Sequence, residues 1–194
     1  SLLPELIKSK PKLIILLRGY KGTIKSTHKV DLKNDTSLTV GDEALIYANH
    51  VTTYISSNRS VAIKEIIKLE SPDLVILDDG FQDKKIRKDK NVILINGNRG
   101  LGNNLLLPSG PLREIASLAL KKSDIIILIG NDQTNFKERY ENQIKGKDIF
   151  YGNIVSLKNG SNKNVLAFSG IGNNESFFKS LENNNYNVLK KISY

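Results

Sequence analysis

Two adjacent carboxylates, Asp78 and Asp79, stand directly after the apolar run Leu74 to Leu77, and Gly80 follows them. In an open α/β sheet, ligands bind at the carboxyl ends of the strands, where these two acids would lie. Adjacent acids repel each other, so a cation normally keeps both ionised. Mg²⁺ prefers oxygen ligands and commonly takes one or two carboxylates together with substrate phosphates. The pattern therefore suits the metal-binding arm of a phosphoryl-transfer site, although an acidic, solvated turn explains it equally well.

Arginines follow two other apolar runs. Arg18 comes directly after Leu13 to Leu17, between that run and two glycines that permit close backbone approach to a ligand. Its guanidinium suits a phosphate partner. Arg59 follows Val51 to Ile55 and precedes a helical stretch, which would bring it near anionic groups. An ordinary turn and a surface arginine are the respective alternatives.

An acid begins another helical stretch, in the segment Gly41-Asp42-Glu43-Ala44. Asp42 has the chemistry of a general base that takes a proton from an attacking hydroxyl group. The alternative is structural, because negative charge in the first turn of a helix is stabilised by the helix macrodipole.

Two glycine-rich loops in the second half of the chain each carry an arginine. The first contains Arg99, and the second runs from Leu107 to Glu114 and contains Arg113. Pro108 and Pro111 stiffen the second loop. A long aperiodic stretch in a compact domain indicates either a functional loop or disorder, and the prolines favour a functional loop.

The elements that must position these residues alternate between short apolar runs and helical stretches, the pattern of βαβ units with a mostly parallel sheet. The sequence predicts an α/β fold with strands at 13–17, 51–55, 74–77, 92–95, 125–129, 149–155 and 165–169. It predicts helices at 42–49, 60–69, 135–144 and 175–181. Ser60 is the expected cap of the second helix.

Composition excludes several classes of site. The 194 residues include no Cys and only two His, so a disulfide framework, a thiol nucleophile and a multi-histidine metal site are not expected. The chain has no apolar run of transmembrane length. Its net charge of +9 suits anionic partners, but the basic residues are scattered and no nucleic-acid-binding motif accompanies them. We therefore expect no nucleic-acid partner.

Six motifs in order resemble one family, the tetraacyldisaccharide 4'-kinases, also called lipid A 4'-kinases. They are Arg-Gly-Tyr at 18–20, Gly-Asp-Glu-Ala at 41–44, Asp-Asp-Gly-Phe-Gln at 78–82, Arg-Gly-Leu-Gly-Asn at 99–103, Leu-Leu-Pro-Ser-Gly-Pro-Leu-Arg-Glu at 106–114 and Ala-Phe-Ser-Gly-Ile-Gly-Asn at 167–173. The resemblance implies a P-loop-NTPase-like α/β fold, with a mostly parallel sheet flanked by helices. It also implies a kinase core at 1–160 and a small C-terminal α/β portion beginning at 161.

The resemblance implies that the family's reaction is transfer of the γ-phosphate of ATP, with Mg²⁺, to the 4'-hydroxyl of tetraacyldisaccharide 1-phosphate, which gives lipid IVA. Asp42 matches the acid that activates the acceptor hydroxyl, and Asp78 and Asp79 match the pair around Mg²⁺, with Asp79 also counted as catalytic. Arg18, Arg113 and Glu114 are expected to contact the nucleotide. Arg59 and Arg99 are expected to contact the lipid.

The implied partners are the lipid A disaccharide precursor, ATP and an anionic membrane surface. The implied location is peripheral, on the cytoplasmic face of the bacterial inner membrane. The basic surplus of the chain suits a phosphorylated, membrane-embedded glycolipid.

The sequence departs from the family pattern at three places. No Gly-x-x-x-x-Gly-Lys-Ser/Thr segment occurs in it, and we expect this Walker A loop and the family's membrane anchor upstream of Ser1. The family's Asp-His motif would follow Tyr194. Asp83 stands where the family usually has His, which adds a third acid near the pair expected around Mg²⁺.

Two other hypotheses remain open at this point. In the first hypothesis, the chain is a non-catalytic remnant of such a kinase. In the second, it is a general binder of polyanions, whose affinity would depend strongly on salt concentration. An in-frame Walker A segment in the upstream DNA would favour the enzyme over the remnant.

We expect these 194 residues, taken alone, to be inactive or nearly so as a kinase, because a Walker A loop supplies most of the γ-phosphate positioning. Incubation with labelled ATP and tetraacyldisaccharide 1-phosphate measures this. Clear ATP-dependent labelling of the lipid would contradict the expectation.

Overall fold

The structure, a computed structural model, describes residues 11–154, 160–171 and 174–194. It divides into two compact units, one extending to Ile93 and the other beginning at Leu94. The boundary predicted between residues 160 and 161 is a different one and stays a prediction, since residues 155–159 lie outside the described part.

The first unit is built on a four-stranded sheet. Its strands are β1 (Leu13–Leu17), β2 (His28–Lys29), β3 (Thr52–Ile55) and β4 (Leu74–Leu77), in the order β2-β3-β1-β4. The central strand β1 pairs in parallel with β3 and β4, and β2 is antiparallel to β3 at one edge. All five residues of β1 are buried, which explains why its sequence is a continuous apolar run rather than an alternating one.

Helices cover both faces of this sheet. They are α1 (Ser37–Val40), α2 (Asp42–Ala48) and α3 (Arg59–Glu70). On one face, Ala62 and Ile66 of α3 pack in one cluster with the even-numbered residues of β1, Ile14 and Leu16. On the other face, α1 and α2 contribute Val40 and Ala44 to a cluster with Ile15 and Leu17.

The C-terminal end of α3 is fixed by one carboxylate. Glu70 accepts hydrogen bonds from the Lys29 ammonium group at 2.7 Å and the Tyr54 hydroxyl at 2.8 Å, and it forms an ion pair with Lys12 at 3.2 Å. The bond from Lys29 is the largest of the effects that lower the pKa of Glu70 to about 2, and the bonds from Tyr54 and Lys12 add to it. Burial, together with the Glu70 hydrogen bond, raises the pKa of Tyr54 to about 12. The helix end is thereby joined to β2 and β3.

Two further sheets follow along the chain. β5 (Val92–Asn96), β6 (Ile125–Ile129) and β7 (Asp148–Gly152) form a three-stranded sheet in that order, in which β6 and β7 are parallel. Three helices accompany it: α4 (Ala116–Lys122), α5 (Phe136–Arg139) and α6 (Glu141–Ile144).

The last sheet is a single parallel pair. β8 (Lys163–Ser169) and β9 (Tyr186–Ser193) are connected by α7 (Asn174–Asn183), so these residues form one βαβ unit. Phe178 of α7 is buried. In the described part of the chain, no helix is both long and apolar enough to cross a membrane.

The predicted α/β fold with a mostly parallel sheet is confirmed, and a strand lies at each of the seven predicted places. The strand predicted at 149–155 ends at Gly152, and Val155 lies outside the described residues. The single helix predicted at 135–144 is wrong, because an interruption at Tyr140 divides it into α5 and α6. Ser60 does not cap α3, since Asn58 occupies the N-cap and Ser60 lies within the helix. Among the described residues, the elements that sequence reasoning missed are α1, α4, β2 and β9.

The ion pairs of Glu70 generate a prediction about acid stability. The folded-state pKa of Glu70 lies below the unfolded one, so its stabilisation is fully present above about pH 4.5 and is lost as the pH falls towards about 2. We expect Glu70→Gln to destabilise the protein at about pH 7, and the deficit to shrink by more than about half between about pH 5 and about pH 3.

Urea denaturation of both proteins across this pH range measures the deficit. Glu65→Gln, at an exposed position of the same helix, is the control and should track the wild type throughout. A deficit that stays constant as the pH falls would contradict the prediction.

Candidate active site

Three of the predicted residues follow the carboxyl ends of parallel strands in the first unit. The ladder continues one residue beyond the strands, because Ser56 N–H donates to Leu17 O at 3.0 Å and Asp78 N–H donates to Leu16 O at 3.2 Å. Arg18 therefore leaves β1 at the same edge of the sheet at which Asp78 leaves β4 and the segment leading to Arg59 leaves β3. Parallel pairing with β1 is what brings these chain ends together.

The adjacent carboxylates Asp78 and Asp79 lie in a sharp turn at this edge. Asp79 has φ of +48°, a left-handed conformation, and its N–H donates to the Asp78 carboxylate at 3.0 Å. The Tyr47 phenol of α2 lies against the Asp78 carboxylate. Burial first, then the negative charges of Asp78 and Glu43, and finally a hydrogen bond to Asp78 raise the pKa of Tyr47. Helix α2 is thus in contact with the candidate metal arm.

The residues present fit a Mg²⁺ site of the kind completed by substrate phosphates. Asp78 and Asp79 offer hard carboxylate oxygens, and Asp79 is exposed to solvent. Among the described residues, no group of three or more His, Cys, Asp or Glu side chains could hold a metal ion. Two carboxylates suffice for Mg²⁺, which keeps several waters and takes phosphate oxygens as further ligands.

Asp42 is held at the start of α2 by a crowded glycine. Gly41 has φ of +88° and ψ of 153°, a backbone conformation that is essentially confined to glycine. A Cβ atom at this position would lie 2.6 Å from the Tyr20 carbonyl oxygen. The loop after β1 and the start of α2 are therefore packed backbone against backbone. The Asp42 side chain is exposed and accepts the Glu43 N–H at 3.0 Å.

Arg59 lies in the interior, with only 2% of its surface exposed, so the alternative of an ordinary surface arginine is wrong. Its Nη1 donates to the carbonyl oxygens of Asp78 at 2.7 Å and Asp79 at 3.3 Å. Its Nη2 also donates to Asp79 O at 3.3 Å. The predicted contact with the lipid stays a prediction.

Asp83 does not form a three-acid cluster with the metal arm. Its carboxylate lies 3.3 Å from Nη2 of Arg59 in a largely buried ion pair. The third acid that Asp83 adds near Asp78 and Asp79 therefore faces a buried guanidinium, which balances its charge.

The remaining predicted residues lie in the second unit. Arg99 is exposed in the loop after β5 and lines a small cavity of about 170 Å³ together with Arg139 and Tyr140. Arg113 is exposed, whereas Glu114 is half-buried and forms an ion pair with Lys122 of α4. Whether these three residues contact nucleotide or lipid stays a prediction.

The proline-containing loop of the second unit is ordered by its own hydrogen bonds. Leu107 N–H donates to Leu112 O at 2.9 Å, and Leu112 N–H donates to Leu105 O at 3.1 Å. The Asn103 side-chain amide donates to Ser109 O at 2.9 Å. This agrees with the interpretation of the segment as a shaped loop rather than a disordered one.

Sequence reasoning missed two residues at the first-unit site. Tyr47 contacts Asp78, and Lys88 donates to three carbonyl oxygens of the turn that follows Asp79. Tyr47 lies on α2 one turn beyond Glu43, so a search of that helix for polar residues would have found it. Lys88 stands in a basic stretch that offers no signal distinguishing it from its neighbours.

The sequence model of one family, described as LpxK, tetraacyldisaccharide-1-P 4'-kinase, matches residues 1–194. The tetraacyldisaccharide 4'-kinase of Bartonella quintana is 35% identical over 182 residues, which cover 93% of this chain and 53% of that protein. The one from Rickettsia conorii is 34% identical over 193 residues, covering 96% of this chain and 57% of that protein.

A solved structure is similar in fold. The crystal structure of LpxK from Aquifex aeolicus, described as an "apo" form in complex with ATP, superposes with a TM-score of 0.75 at 28% identity. The match covers 99% of this chain and 64% of that chain. This chain thus spans about half the length of the curated relatives it matches.

The packing at Gly41 predicts that adding one methyl group there strongly reduces the stability of the fold. We expect Gly41→Ala to lower the free energy of unfolding of the first unit by about 3 kcal/mol, because a steric clash adds to an unfavourable φ. Gly130→Ala is the control in the second unit, since Gly130 has φ of +81° but no atom within 4 Å of an added Cβ. Gly130→Ala should lower the free energy of unfolding of the second unit by only about 1–2 kcal/mol.

Native-state hydrogen exchange of strand amides measures each unit separately. If the two variants lost equal amounts of unfolding free energy, the space around Gly41 would not be restrictive.

Proposed function

Because the chain belongs to the tetraacyldisaccharide-1-P 4'-kinase family, we propose that it serves ATP-dependent phosphorylation of the 4'-hydroxyl of tetraacyldisaccharide 1-phosphate, giving lipid IVA. One observation supports this most directly. The adjacent carboxylates Asp78 and Asp79 stand at the carboxyl edge of a parallel sheet, in contact with the helix that begins at Asp42. Phosphoryl transfer needs mainly the correct placement of the reacting groups and stabilisation of the phosphate charge. The carboxyl edge of the sheet holds side chains that suit both tasks.

Asp42 is the proposed general base. Its side chain is exposed, so the 4'-hydroxyl of a lipid bound outside the protein has access to it. Accepting the hydroxyl proton increases the nucleophilicity of the attacking oxygen. Because the Gly41 backbone is constrained, the Asp42 carboxylate that follows it has a defined position relative to the sheet edge.

Asp78 and Asp79 are the proposed Mg²⁺ ligands. When bound with ATP, the ion neutralises charge on the phosphate oxygens. Arg18, at the same edge of the sheet, is proposed to pair with a nucleotide phosphate. Arg113 and Glu114 are proposed for the nucleotide as well, and Arg99 for the lipid. The lipid contact predicted for Arg59 is not part of this proposal, because its guanidinium is buried against the Asp78–Asp79 turn.

The proposed setting is the cytoplasmic face of the bacterial inner membrane, with peripheral attachment to an anionic lipid surface. A net charge of +9 supports this, since basic residues are attracted to anionic lipids. The remnant hypothesis is not favoured, because similarity to the family extends over the whole chain at about one third identity to curated kinases.

The test is a phosphotransfer assay with the protein as its gene encodes it, [γ-³²P]ATP, Mg²⁺ and tetraacyldisaccharide 1-phosphate in detergent. Label in the lipid at the 4' position is the expected result. Absence of transfer from a folded protein, or transfer to water only, would overturn the proposal. A second arm measures lipid binding against a 1-dephosphorylated lipid, which should bind less tightly.

The neighbouring acids Asp42 and Glu43 allow the general-base role to be separated from helix stabilisation. We expect Asp42→Asn to lower kcat by about 10²–10⁴-fold, with KM for the lipid nearly unchanged, because the variant cannot accept the proton. Glu43→Gln is the matched control in the same helical turn. Both substitutions should reduce stability by only about 0.3–1 kcal/mol through the macrodipole. Equal loss of activity in the two variants would argue against Asp42 as the base.

A further inference from the structure

The turn that carries the candidate metal ligands is held by two cationic side chains. Within residues 78–83, the carbonyl oxygens of five residues accept hydrogen bonds from Arg59 or Lys88. We call these two side chains and the carboxylate of Asp83 the turn clamp. The turn clamp is separate from the carboxylates that would hold a metal.

Arg59 holds the first half of the turn. Its two terminal nitrogens donate to the carbonyl oxygens of Asp78 and Asp79 at distances of 2.7 to 3.3 Å. The side chain is almost fully buried, and its Nε has no partner among the described residues. A planar guanidinium fixes the direction of each bond it donates, so it restrains the orientation of the two peptide groups as well as their position.

Lys88 holds the second half. Its Nζ donates to Gly80 O at 3.1 Å, to Phe81 O at 3.5 Å and to Asp83 O at 2.5 Å. The carbonyl oxygens of both halves therefore point towards cations. Lys88 closes a loop of its own chain, which differs from the default of a solvated lysine in a basic stretch.

Asp83 links the turn to Arg59 through its side chain. Its carboxylate lies 3.3 Å from Nη2, and 15% of the side-chain surface is exposed. It compensates the charge of the buried guanidinium, which would otherwise be costly to keep in the interior. Asp83 thus keeps the Arg59 side chain in place, and Arg59 in turn restrains the backbone of the turn.

Such restraint matters because of the backbone conformation at Asp79. A non-glycine residue with φ of +48° persists only where the surroundings determine it. If the turn relaxed, the directions of the Asp78 and Asp79 side chains would change together. A metal ligand set tolerates little deviation from its productive geometry.

We propose that Asp83 and Lys88 are positioning residues of the candidate active site, which act with Arg59 to preset the Asp78–Asp79 turn and are not themselves ligands of metal or substrate. This inference rests on the proposed kinase function for its kinetic consequences. Its structural content, restraint of the turn, does not depend on that function.

The variants that test it are Asp83→Asn, Arg59→Gln, Lys88→Gln and the double variant of Asp83 and Arg59. Asp89→Asn and Arg87→Gln are matched controls, because both side chains are exposed in the same segment. All are made in the protein as its gene encodes it. Thermal unfolding identifies any variant that fails to fold, and Asp83→Asn, which preserves shape, is the variant least subject to that failure.

The first readout needs neither metal nor substrate. Hydrogen–deuterium exchange of peptides that span residues 78–83 should become faster by about tenfold in the three clamp variants, because local opening of the turn is easier. The controls should exchange like the wild type. Unchanged exchange in all three clamp variants would overturn the proposal.

The second readout is kinetic. Asp83→Asn and Arg59→Gln should each lower kcat by about tenfold and raise the Mg²⁺ concentration for half-maximal rate, with KM for the lipid within about twofold. The double variant should be no worse than the poorer single one, because both disrupt one unit. Asp83→His should lose activity as well, since His does not carry the negative charge that Arg59 needs.

Three outcomes would be decisive against parts of the inference. If Arg59→Gln alone raises KM for the lipid, Arg59 binds substrate and the clamp is not its role. If Asp83→Asn raises the Mg²⁺ concentration for half-maximal rate as much as Asp78→Asn does, and hydrogen–deuterium exchange of the turn is no faster, Asp83 is a metal ligand. If the wild type shows no phosphotransfer, the proposed function fails, and the exchange data alone decide whether the turn is clamped.

Discussion

The parallel pairing of β1 with both β3 and β4 is the constraint on which the candidate site depends. A parallel sheet places every carboxyl end at one edge, so residues distant in sequence become neighbours there. That pairing requires β1 to be buried on both faces, which the helices on each side accomplish by packing on alternate residues of the strand. The same burial keeps the edge rigid, and it is a rigid edge that gives carboxylates a defined position. The site is therefore a consequence of core packing rather than an addition to it.

A second constraint arises where Arg59 enters the interior at this edge. A buried guanidinium needs acceptors for its donors and a counter-charge, and the turn after β4 supplies both through its carbonyl oxygens and Asp83. An acid is suitable there because it faces a cation and not the adjacent carboxylates. The negative charge of Asp83 is compensated within the Arg59–Asp83 pair.

The fold was largely predictable because continuous apolar runs identify buried parallel strands, and the runs in β1, β4 and β6 are clear examples. β9 was missed because Asn187, Lys190 and Lys191 interrupt its apolar residues, so no continuous apolar run exists to detect. The site was predictable only as far as chemistry follows from residue type. That Asp78 and Asp79 would stand at a strand end followed from their position in sequence, and the six family motifs predicted the family correctly. The burial of Arg59 did not follow, since arginine is mostly exposed and only tertiary packing places it inside.

Lys88 shows why net charge is a poor guide to what a basic chain binds. Within the stretch from Lys84 to Lys90, sequence alone assigns every cation the same solvated role, and the sum contributes to a net charge of +9. In the structure, one of these cations is committed to carbonyl oxygens of its own chain, as is Arg59. Cations used in this way order the backbone around an acidic centre and contribute less to attraction of an external polyanion. The local field at the candidate site therefore depends on which groups face each cation, and that arrangement is set by the turn after β4.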